Sequence, residues 1–595
     1  MANSIPLRLN SYFHIKEYTV KTRFILPAII SLLIASCSPR QSEDQKFEAL
    51  ANNYIEQLLK LNPEWATALG DHRFDSKLSD YTMKGFQEVR AFNVAYLDSL
   101  SGIEVEKLTS VNAIDYRIMK SNAQSWIFQI DTLRDYEWNP LTYNMGGAIY
   151  SLIARDFAPL KDRLISAKAR LEQIPGVLLA ARANLKNPAK IHTETAIMQN
   201  GGTISLVKDE LNQFLDQVPE LKEEFGPVQA QTVKSLEEFG TWMEKELLPK
   251  STGDFRIGDE KFRRKLYYTL ESDLSKEEIL KTAEDDLKVT QNKMYETALP
   301  LYKKFFPKET NPVKPDDKKL VCKAVLDKLA ENGPTNATIV DQATEDTDDV
   351  TKFVREKNLI TLPTEPIKII VMPEFQRGVA VAYCDAPGAL EKNGQTFYAI
   401  SPTPKDWTKQ RVTSFFKEYN NYMLKDLTIH EATPGHYLQL AHSNKFKAPT
   451  MIRAIFGSGT FVEGWATYAE QFMAEAGYGG PEVRMQQLKM RLRLIINSII
   501  DQKIHTEGMT QEEAMAMMMN EGFQEEGEAA GKWRRACLTS TQLSTYYVGN
   551  TEINRIRKAY EAKHGVSSDL KPMHDAMLSF GSPAAKYVMA SLGLN

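Results

Sequence analysis

The sequence predicts a mainly α-helical protein with one small β-sheet next to the helices that carry a candidate metal site. Apolar residues recur at helical spacing through most of the segment 47–302. Three short segments rich in β-branched and aromatic residues follow within 366–402, and helical spacing then returns. The chain has 595 residues, of which 43% are apolar and 25% are charged, so a large folded core is expected.

The first part of the chain has the pattern of an export signal. Two basic residues precede the apolar run FILPAIISLLIA (24–35), which is too short to span a bilayer but has the length of a signal-peptide core. The sequence IASC follows, ending at Cys37, and it resembles the lipobox of bacterial lipoproteins. We predict that 1–37 is a lipoprotein signal peptide with Cys37 as the lipidated residue, and that 38–46 is a polar tether. A short membrane anchor or a buried helix is the alternative.

Lipidation at Cys37 would hold the protein at the bacterial cell envelope, on the outer membrane or facing the periplasm. The charge balance bears on other partners: 73 basic and 77 acidic residues give a formal charge of −4 and no basic stripe, so nucleic acid is not expected to bind. The remaining cysteines, Cys322, Cys384 and Cys537, are far apart, and they suggest neither a disulfide framework nor a cysteine metal site. The sequence does not specify an oligomeric state.

Repeated amphipathic segments define a predicted N-terminal helical region, 47–302. The segment FEALANNYIEQLLKL begins it, and a later helix starts with a capping box formed by Ser275 and Glu278. The segment DRLISAKARLEQIPGVLLAARANL is also predicted to be helical, with a break at Pro175 and the glycine that follows it. The rest of the chain, 303–595, is predicted to form a C-terminal region that contains the sheet and the zinc-site helices.

The predicted sheet consists of three short segments separated by Gly, Pro and Asp or Asn. They are PIKIIVMPEF (366–375), VAVAYCDAP (379–387) and TFYAISP (396–402), and we predict a small antiparallel sheet. Because the candidate metal-site helix comes soon after the last strand, an exposed sheet edge there would be able to pair with an extended peptide. The sequence does not say which edge is exposed.

The candidate metal site lies in TIHEATPGHYLQL, in which His430 and His436 are six residues apart. Zinc peptidases usually have HExxH on one helix, whereas a six-residue step leaves two side chains roughly 120° apart around an unbroken helix. Pro434 has no amide hydrogen to bond the carbonyl of His430, so the helix must kink or stop there. We predict a break between Ala432 and Gly435, with Thr433 as the new N-cap and His436 in the first turn.

A hydrolytic zinc site needs three protein ligands, an open position for water and a carboxylate base. His430 and His436 are the predicted nitrogen ligands of Zn²⁺, and Glu431 is the predicted base. Glu463, 27 residues after His436, is the predicted third ligand, although Thr460 and Glu463 also match a capping box that would make this glutamate structural.

Three other residues near the predicted site are given lesser roles. Glu470, two turns after Glu463, either orients a ligand or lies on a solvated helix face. His442 is interpreted as a surface residue or one that contacts a ligand. His574, in MHDAM, is interpreted as structural.

The segments HEATPGHYLQ and FVEGWATYAEQF resemble the signature of a bacterial family known as domain of unknown function 885, DUF885. The organisation of that family is similar to gluzincin metallopeptidases, with a histidine pair and a glutamate on one helix and a glutamate ligand on the next. The resemblance extends to LKLNPEWATALGDHRFD, EWNPLTYN, FRIGDEKF and MHDAMLSFGSP. It implies a two-lobed helical zinc peptidase with a deep central cleft, the broad architecture of angiotensin-converting enzyme and the oligopeptidases.

The segment RRACLTSTQLSTYYVGNTEINRIR also resembles this family, and the matching residues are Arg535, Gln542, Tyr546, Gly549 and Arg557. The chain has Ser540 and Thr541 where the family tends to have Pro-Gly. By this resemblance Tyr546 is the predicted catalytic tyrosine, which would donate a hydrogen bond to the oxyanion, with Tyr547 as a substrate-contacting alternative. Both tyrosines are equally well interpreted as core aromatics. Arg535 is predicted to bind a substrate carboxylate, or else to pair with the glutamates of 525–528.

These patterns favour a membrane-tethered zinc metallopeptidase that hydrolyses short peptides. Two alternatives stay open: a metal-dependent amidase acting on a non-peptide substrate, and a non-catalytic helical surface lipoprotein that binds glycans or other nutrients. A binding protein has no need for a carboxylate base beside a histidine pair, which argues against the second.

Overall fold

The computed structural model describes residues 41–307, 317–372, 381–392, 394–405, 407–565 and 569–594. The predicted signal peptide and Cys37 lie outside the described residues. Glu43–Asn595 form one compact unit. The first helix begins at Glu43, before the predicted start at residue 47, so the end of the predicted tether is helical. The acidic pair Glu43 and Asp44 in the first turn favours this earlier start, because carboxylates stabilise a helix N-terminus.

Helices make up most of the described chain, which confirms the predicted mainly α fold. Before the sheet they are α1 (Glu43–Leu61), α2 (Pro63–Leu69), α3 (Met83–Ser101), α4 (Ser110–Phe128), α5 (Asp135–Trp138), α6 (Gly146–Ile153), α7 (Leu160–Asn184), α8 (Lys190–Ser205), α9 (Leu211–Leu215), α10 (Lys222–Trp242), α11 (Asp259–Leu270), α12 (Lys276–Phe305), α13 (Asp317–Leu329) and α14 (Ile339–Lys357). Short 3₁₀ and π segments connect several of them. The predicted capping box at Ser275 and Glu278 opens α12.

After the sheet the chain returns to helix, as predicted. The elements are α15 (Lys409–Glu418), α16 (Asn421–Glu431), α17 (His436–Ser443), α18 (Ile452–Ile455), α19 (Gly459–Glu475), α20 (Gly480–Glu507), α21 (Gln511–Asn520), α22 (Glu526–Leu538), α23 (Ser544–His564), α24 (Lys571–Leu578) and α25 (Ala585–Ser591). In the described part of the chain, no helix has both the length and the apolar character that crossing a membrane requires. The division of the chain near residue 303 and the two-lobed arrangement stay predictions.

The predicted break at Pro175 is wrong, because α7 runs through it without interruption. A proline inside a helix leaves the carbonyl four residues earlier without its amide donor. Here that carbonyl belongs to Leu171, and the hydroxyl of Thr232 on α10 donates a hydrogen bond to it at 3.0 Å. The lost backbone bond is therefore replaced by a side chain from a neighbouring helix.

The three predicted strands exist, but the sheet is mixed and not antiparallel. The strands are β1 (Ile367–Val371), β2 (Ala382–Asp385) and β3 (Thr396–Ile400), in the spatial order β1-β3-β2. β3 pairs parallel with β1 and antiparallel with β2. Tyr398, Ala399 and Ile400 of β3 are fully buried, so the most deeply buried strand takes the centre. This order leaves β2 at one edge of the sheet.

The core around α19 connects the elements that matter for function. Trp465 and Tyr468 of α19 are fully buried and pack with Ile429 of α16, Leu438 of α17 and Ile553 of α23. The hydroxyl of Tyr398 on β3 lies 3.2 Å from that of Thr428 on α16. The sheet and two helices, α19 and α23, are thus fixed against the segment that carries the histidine pair, as the sequence predicts for the sheet position.

Candidate metal centre

The helix carrying the histidine pair is interrupted, as the proline predicts. α16 ends at Glu431 and α17 begins at His436, and the Thr433–Pro434 peptide bond is cis. The predicted N-cap is wrong: Gly435, and not Thr433, precedes the first helical residue. Pro434 therefore lies before the second helix and not inside its first turn.

Two features stabilise the interruption between α16 and α17: a close backbone approach at Gly435 and a hydrogen bond from Trp465. A Cβ atom at Gly435 would lie 2.0 Å from the carbonyl oxygen of His430 and 2.3 Å from that of Ile429, so only glycine fits there. The indole N–H of Trp465 donates a 2.8 Å hydrogen bond to the carbonyl of Pro434. The tryptophan of the VEGWA segment is thus a support for the HEATPGH segment, a role that sequence reasoning missed.

The break brings the two imidazoles together with Glu463. The ring centroids of His430 and His436 are 4.6 Å apart, with the rings nearly perpendicular at 87°. The Nε2 atom of each histidine lies 3.5 Å from the same oxygen of Glu463, Oε2. Within the described chain this is the one cluster of three or more His, Cys, Asp or Glu side chains whose ligand atoms could share an ion, all lying within 4.8 Å of one another.

The donor set fits zinc. Bonds of about 2.0–2.2 Å in a tetrahedral site place neighbouring ligand atoms roughly 3.3–3.6 Å apart, which matches the spacing from Glu463 to each histidine. The same oxygen of Glu463 is buried and has no hydrogen-bond partner in the described structure. Burial opposes ionisation of Glu463, but the two imidazoles outweigh it and hold the pKa of the carboxyl well below its usual range. A buried, ionised oxygen without a donor is suited to a cation.

The alternative capping role of Glu463 is wrong. The N-cap of α19 is Ser458, whose hydroxyl accepts a hydrogen bond from the amide of Phe461. Thr460 lies inside the helix, and its hydroxyl donates to the carbonyl of Thr269 on α11. The side chain of Glu463 is therefore not engaged at the helix terminus.

Glu470 contacts His430 on the side of the ring opposite the candidate metal position. Its Oε1 lies 2.7 Å from Nδ1 of His430, and only 1% of the glutamate side chain is exposed. The alternative of a solvated helix face is thus wrong. A carboxylate at Nδ1 accepts a hydrogen bond from the N–H of that nitrogen, which leaves Nε2 with its lone pair toward Glu463 and the metal position.

We expect Glu470→Ala to weaken zinc affinity by about 10–100-fold, because His430 loses the group that orients its ring. Competition with a chromogenic chelator measures this affinity directly. Glu475→Ala is the matched control on the same helix, since Glu475 pairs with Arg557 and makes no contact with the histidines. Unchanged affinity in Glu470→Ala would show that the contact does not support the site.

Glu431, the predicted base, is oriented by the sheet. The backbone N–H of Cys384 on β2 donates a 2.9 Å hydrogen bond to Oε2 of Glu431. Because β2 is an edge strand, this amide points away from β3, out of the sheet and toward the metal site. The edge strand β2 and the candidate base are therefore direct neighbours, which confirms the predicted position of the sheet.

A close helix crossing brings α23 to the site. A Cβ atom at Gly464 of α19 would lie 2.4 Å from the backbone of Gly549, and one at Gly549 would lie 2.1 Å from the carbonyl of Thr460. The two backbones therefore touch. Asp501 of α20, which sequence reasoning missed, fixes the start of α23 by accepting hydrogen bonds from the amides of Thr541 and Ser544.

Thr541 has a φ of 66°, in the left-handed region that favours glycine. This conformation explains why the family tends to have Pro-Gly in this turn, because glycine adopts it readily. The present chain has Ser540 and Thr541 there instead. The turn is kept by side-chain bonds, because the Thr541 hydroxyl lies 2.8 Å from that of Thr269.

The two candidate tyrosines have different surroundings. Tyr546 is partly exposed, and its hydroxyl accepts a 3.1 Å hydrogen bond from Arg535, which also donates to the side chain of Gln542 at 2.9 Å. Glu463 is close enough to contribute, after burial, to raising the pKa of Tyr546. Tyr547 is 1% exposed, and its hydroxyl donates to Asp286 of α12. This contact gives Tyr547 a structural partner, and its role as a substrate contact stays a prediction.

The remaining predicted residues have structural contacts. His574 is fully buried between the carbonyl of Leu359 and the hydroxyl of Tyr468, in agreement with the predicted structural role. His442 contacts the carbonyl of Thr361 and none of the ligand residues in the described structure. The predicted pairing of Arg535 with the glutamates of 525–528 is not seen. Glu525 pairs with Lys417, and the cations nearest Glu528 are Arg493 and Lys532.

The sequence model of a family described as bacterial protein of unknown function, DUF885, matches residues 63–592. The chain belongs to the DUF885 family. The match takes in both the HEATPGH and VEGWA segments and the tyrosine-bearing segment, so the predicted resemblance is confirmed over nearly all of the described chain.

Two solved structures resemble this DUF885 protein over most of its length. A proposed lipoprotein of unknown function from Shewanella oneidensis is 35% identical, with a TM-score of 0.78, and the match covers 92% of this chain and 99% of that one. A proposed lipoprotein from Colwellia psychrerythraea is 19% identical, with a TM-score of 0.76 and coverage of 93% and 100%. The second likeness shows the fold alone.

A third structure, the M32 carboxypeptidase from Deinococcus radiodurans R1, matches at 10% identity and a TM-score of 0.30, with coverage of 92% and 94%. That score is too low to carry an argument about fold or activity. No curated protein matches this DUF885 chain.

Proposed function

We propose that this DUF885 protein is a zinc-dependent peptidase that hydrolyses short peptides. The observation that carries the proposal is that His430 of α16, His436 of α17 and Glu463 of α19 converge on one point. Glu431 adjoins the first of these histidines in the sequence. Zinc held by these three residues would acidify a water molecule and polarise the carbonyl of the scissile bond.

Glu431 would accept the proton of the attacking water and then deliver it to the leaving amine. The hydrogen bond from the Cys384 amide supports this role, because it fixes one carboxylate oxygen and so determines where the other points. The carboxylate is largely buried, so its position is set by the protein and not by solvent.

Tyr546 would donate a hydrogen bond from its hydroxyl to the oxyanion of the tetrahedral intermediate. Arg535 donates to the oxygen of this hydroxyl, which leaves the tyrosine proton free to point at the substrate. Burial raises the pKa of Tyr546, which keeps the phenol protonated at neutral pH. Both features favour a hydrogen-bond donor over a phenolate.

The edge position of β2 supports a peptide as the substrate. The Cys384 N–H is bonded to Glu431, so an extended chain that pairs with the rest of this edge strand would run past the candidate base. Main-chain hydrogen bonds to an edge strand recognise peptides of many sequences. An amidase acting on a non-peptide substrate would have no use for this edge.

We further propose that the protein is lipid-anchored at the bacterial cell envelope through Cys37. The supporting observations are the IASC sequence after an apolar run and the two similar proteins, each described as a proposed lipoprotein.

The proposed activity is tested by incubating the chain from Ser38 onward with a library of short peptides and identifying the products by mass spectrometry. We expect peptide-bond cleavage that stops on zinc removal by a chelator and returns when zinc is restored. Zinc binding without cleavage of any peptide would contradict the proposal and favour the amidase. A protein that binds no zinc but retains a sugar would favour the glycan-binding alternative.

A further inference from the structure

One face of α22 carries more positive charge than the described structure neutralises. Glu528, Lys532 and Arg535 follow one another at helical spacing and so lie along the same face. The side chain of Lys532 is 11% exposed, and it makes no hydrogen bond in the described structure. The carboxylate oxygen nearest to its Nζ is Oε1 of Glu528, at 3.9 Å.

The carboxylates around Lys532 are already engaged. Glu528 accepts a 3.1 Å hydrogen bond from the hydroxyl of Tyr419, and its Oε1 also lies 3.7 Å from Arg493. Glu418 pairs with Lys489 at 2.8 Å and with Arg493. Lys489, Arg493 and Lys532 thus share Glu418 and Glu528. Arg493 also lies near the buried carboxyls of Asp426 and Glu470.

Arg535 continues the positive face toward the candidate catalytic residues. No carboxylate of the described chain lies within ion-pair distance of it, and the hydrogen bonds found for its guanidinium go to the neutral side chains of Gln542 and Tyr546. Burial lowers the pKa of Lys532 to about 8, and the nearby Arg493 and Arg535 add to this effect. Both observations describe a place where an added anion would relieve repulsion between cations.

We propose that Lys532 and Arg535 form a carboxylate-binding subsite, so that the substrates are short peptides with a free carboxylate next to the cleaved bond. This inference rests on the proposed peptidase function. The two residues are one turn apart, about 4.5 Å along the helix, and Arg535 contacts the tyrosine placed at the oxyanion. An extended peptide advances about 3.3 Å per residue, so the carboxylate lies within one or two residues of the scissile bond.

The carboxylate has two sources, the C-terminus of the peptide or an acidic side chain. Three matched peptides distinguish them: a neutral peptide with a free C-terminus, its C-terminal amide, and the amide with glutamate as the last residue. Binding is measured by calorimetry on the zinc-loaded Glu431→Gln protein, which separates affinity from turnover. We expect the free acid to bind at least about tenfold more tightly than the neutral amide.

Substitutions test whether Lys532 and Arg535 cause the preference for the free acid over the amide. In Glu431→Gln proteins that also carry Lys532→Gln or Arg535→Gln, the free acid and the amide are expected to bind within about threefold of each other. Lys532→Arg keeps the charge and is expected to keep the preference. Arg534→Gln is the matched control, because Arg534 lies on the same helix but donates to Thr195. Thermal unfolding of each variant checks that it is folded.

Each outcome decides the inference. Equal binding of all three peptides, binding of none of them, or a preference that survives both glutamine substitutions would overturn the subsite. Tight binding of the glutamate-ended amide would assign the carboxylate to a side chain, and selective binding of the free acid would assign it to the C-terminus. If the preference is present but the unsubstituted zinc protein cleaves none of these peptides, the peptidase function fails and the subsite stands.

Discussion

Replacing Glu431 with glutamine is expected to leave zinc binding intact and to lower kcat/KM for peptide hydrolysis by about 10²–10⁴-fold. Glutamine has the shape of glutamate, and its amide oxygen still accepts the hydrogen bond from the backbone of Cys384. It has no basic carboxylate to take a proton from water. The variant therefore removes the proton transfer while keeping the local structure.

The measurement is kcat/KM for one cleaved peptide, accompanied by zinc content and thermal unfolding of the same preparation. Glu475→Gln, on α19 and paired with Arg557, is the control for the loss of a carboxylate elsewhere on a helix of this site. Activity within about tenfold of the natural protein would exclude Glu431 as the base. Loss of zinc in the variant would mean that Glu431 supports the metal instead.

Removing the Tyr546 hydroxyl in Tyr546→Phe is expected to lower kcat by about 10²–10³-fold with little change in KM. A donor to the oxyanion acts on the transition state and hardly on the bound peptide. The ring stays in place, so packing against the neighbouring core is preserved. Initial-rate kinetics over a range of peptide concentrations separate kcat from KM.

Tyr547→Phe is the matched control for this variant. Tyr547 adjoins Tyr546 in sequence, but its hydroxyl donates to the partly buried Asp286 of α12. We expect this substitution to lower the free energy of unfolding by about 1.5–3 kcal/mol, as for a hydrogen bond to a charged group, and to leave kcat unchanged. Equal kinetic effects of the two substitutions would contradict the assignment of Tyr546.

The parts of this structure that sequence predicts are those set by nearby residues. Helical spacing predicts the α-helical class, and the missing amide of Pro434 predicts the interruption between α16 and α17. The combination of His430, His436 and Glu463 follows because zinc chemistry restricts which side chains can hold the metal. These inferences need no knowledge of the rest of the fold.

Other features depend on residues far away in the chain. The helix continues through Pro175 because Thr232 satisfies a carbonyl on another element. The parallel pairing of β1 with β3 joins segments that are far apart in the chain, and alternation within a strand does not encode its direction. Glu470 could be assigned to His430 only once α16 and α19 were seen to cross.

The metal content of the purified chain from Ser38 onward, for the natural sequence and for Glu463→Ala, tests the central claim most directly. We predict about one zinc per chain in the natural protein and a sharp fall in the variant, with Glu475→Ala as the control that retains zinc. Zinc kept by Glu463→Ala would show that this glutamate is not the third ligand. Absence of zinc from the natural protein, even after exposure to excess metal, would contradict the peptidase assignment.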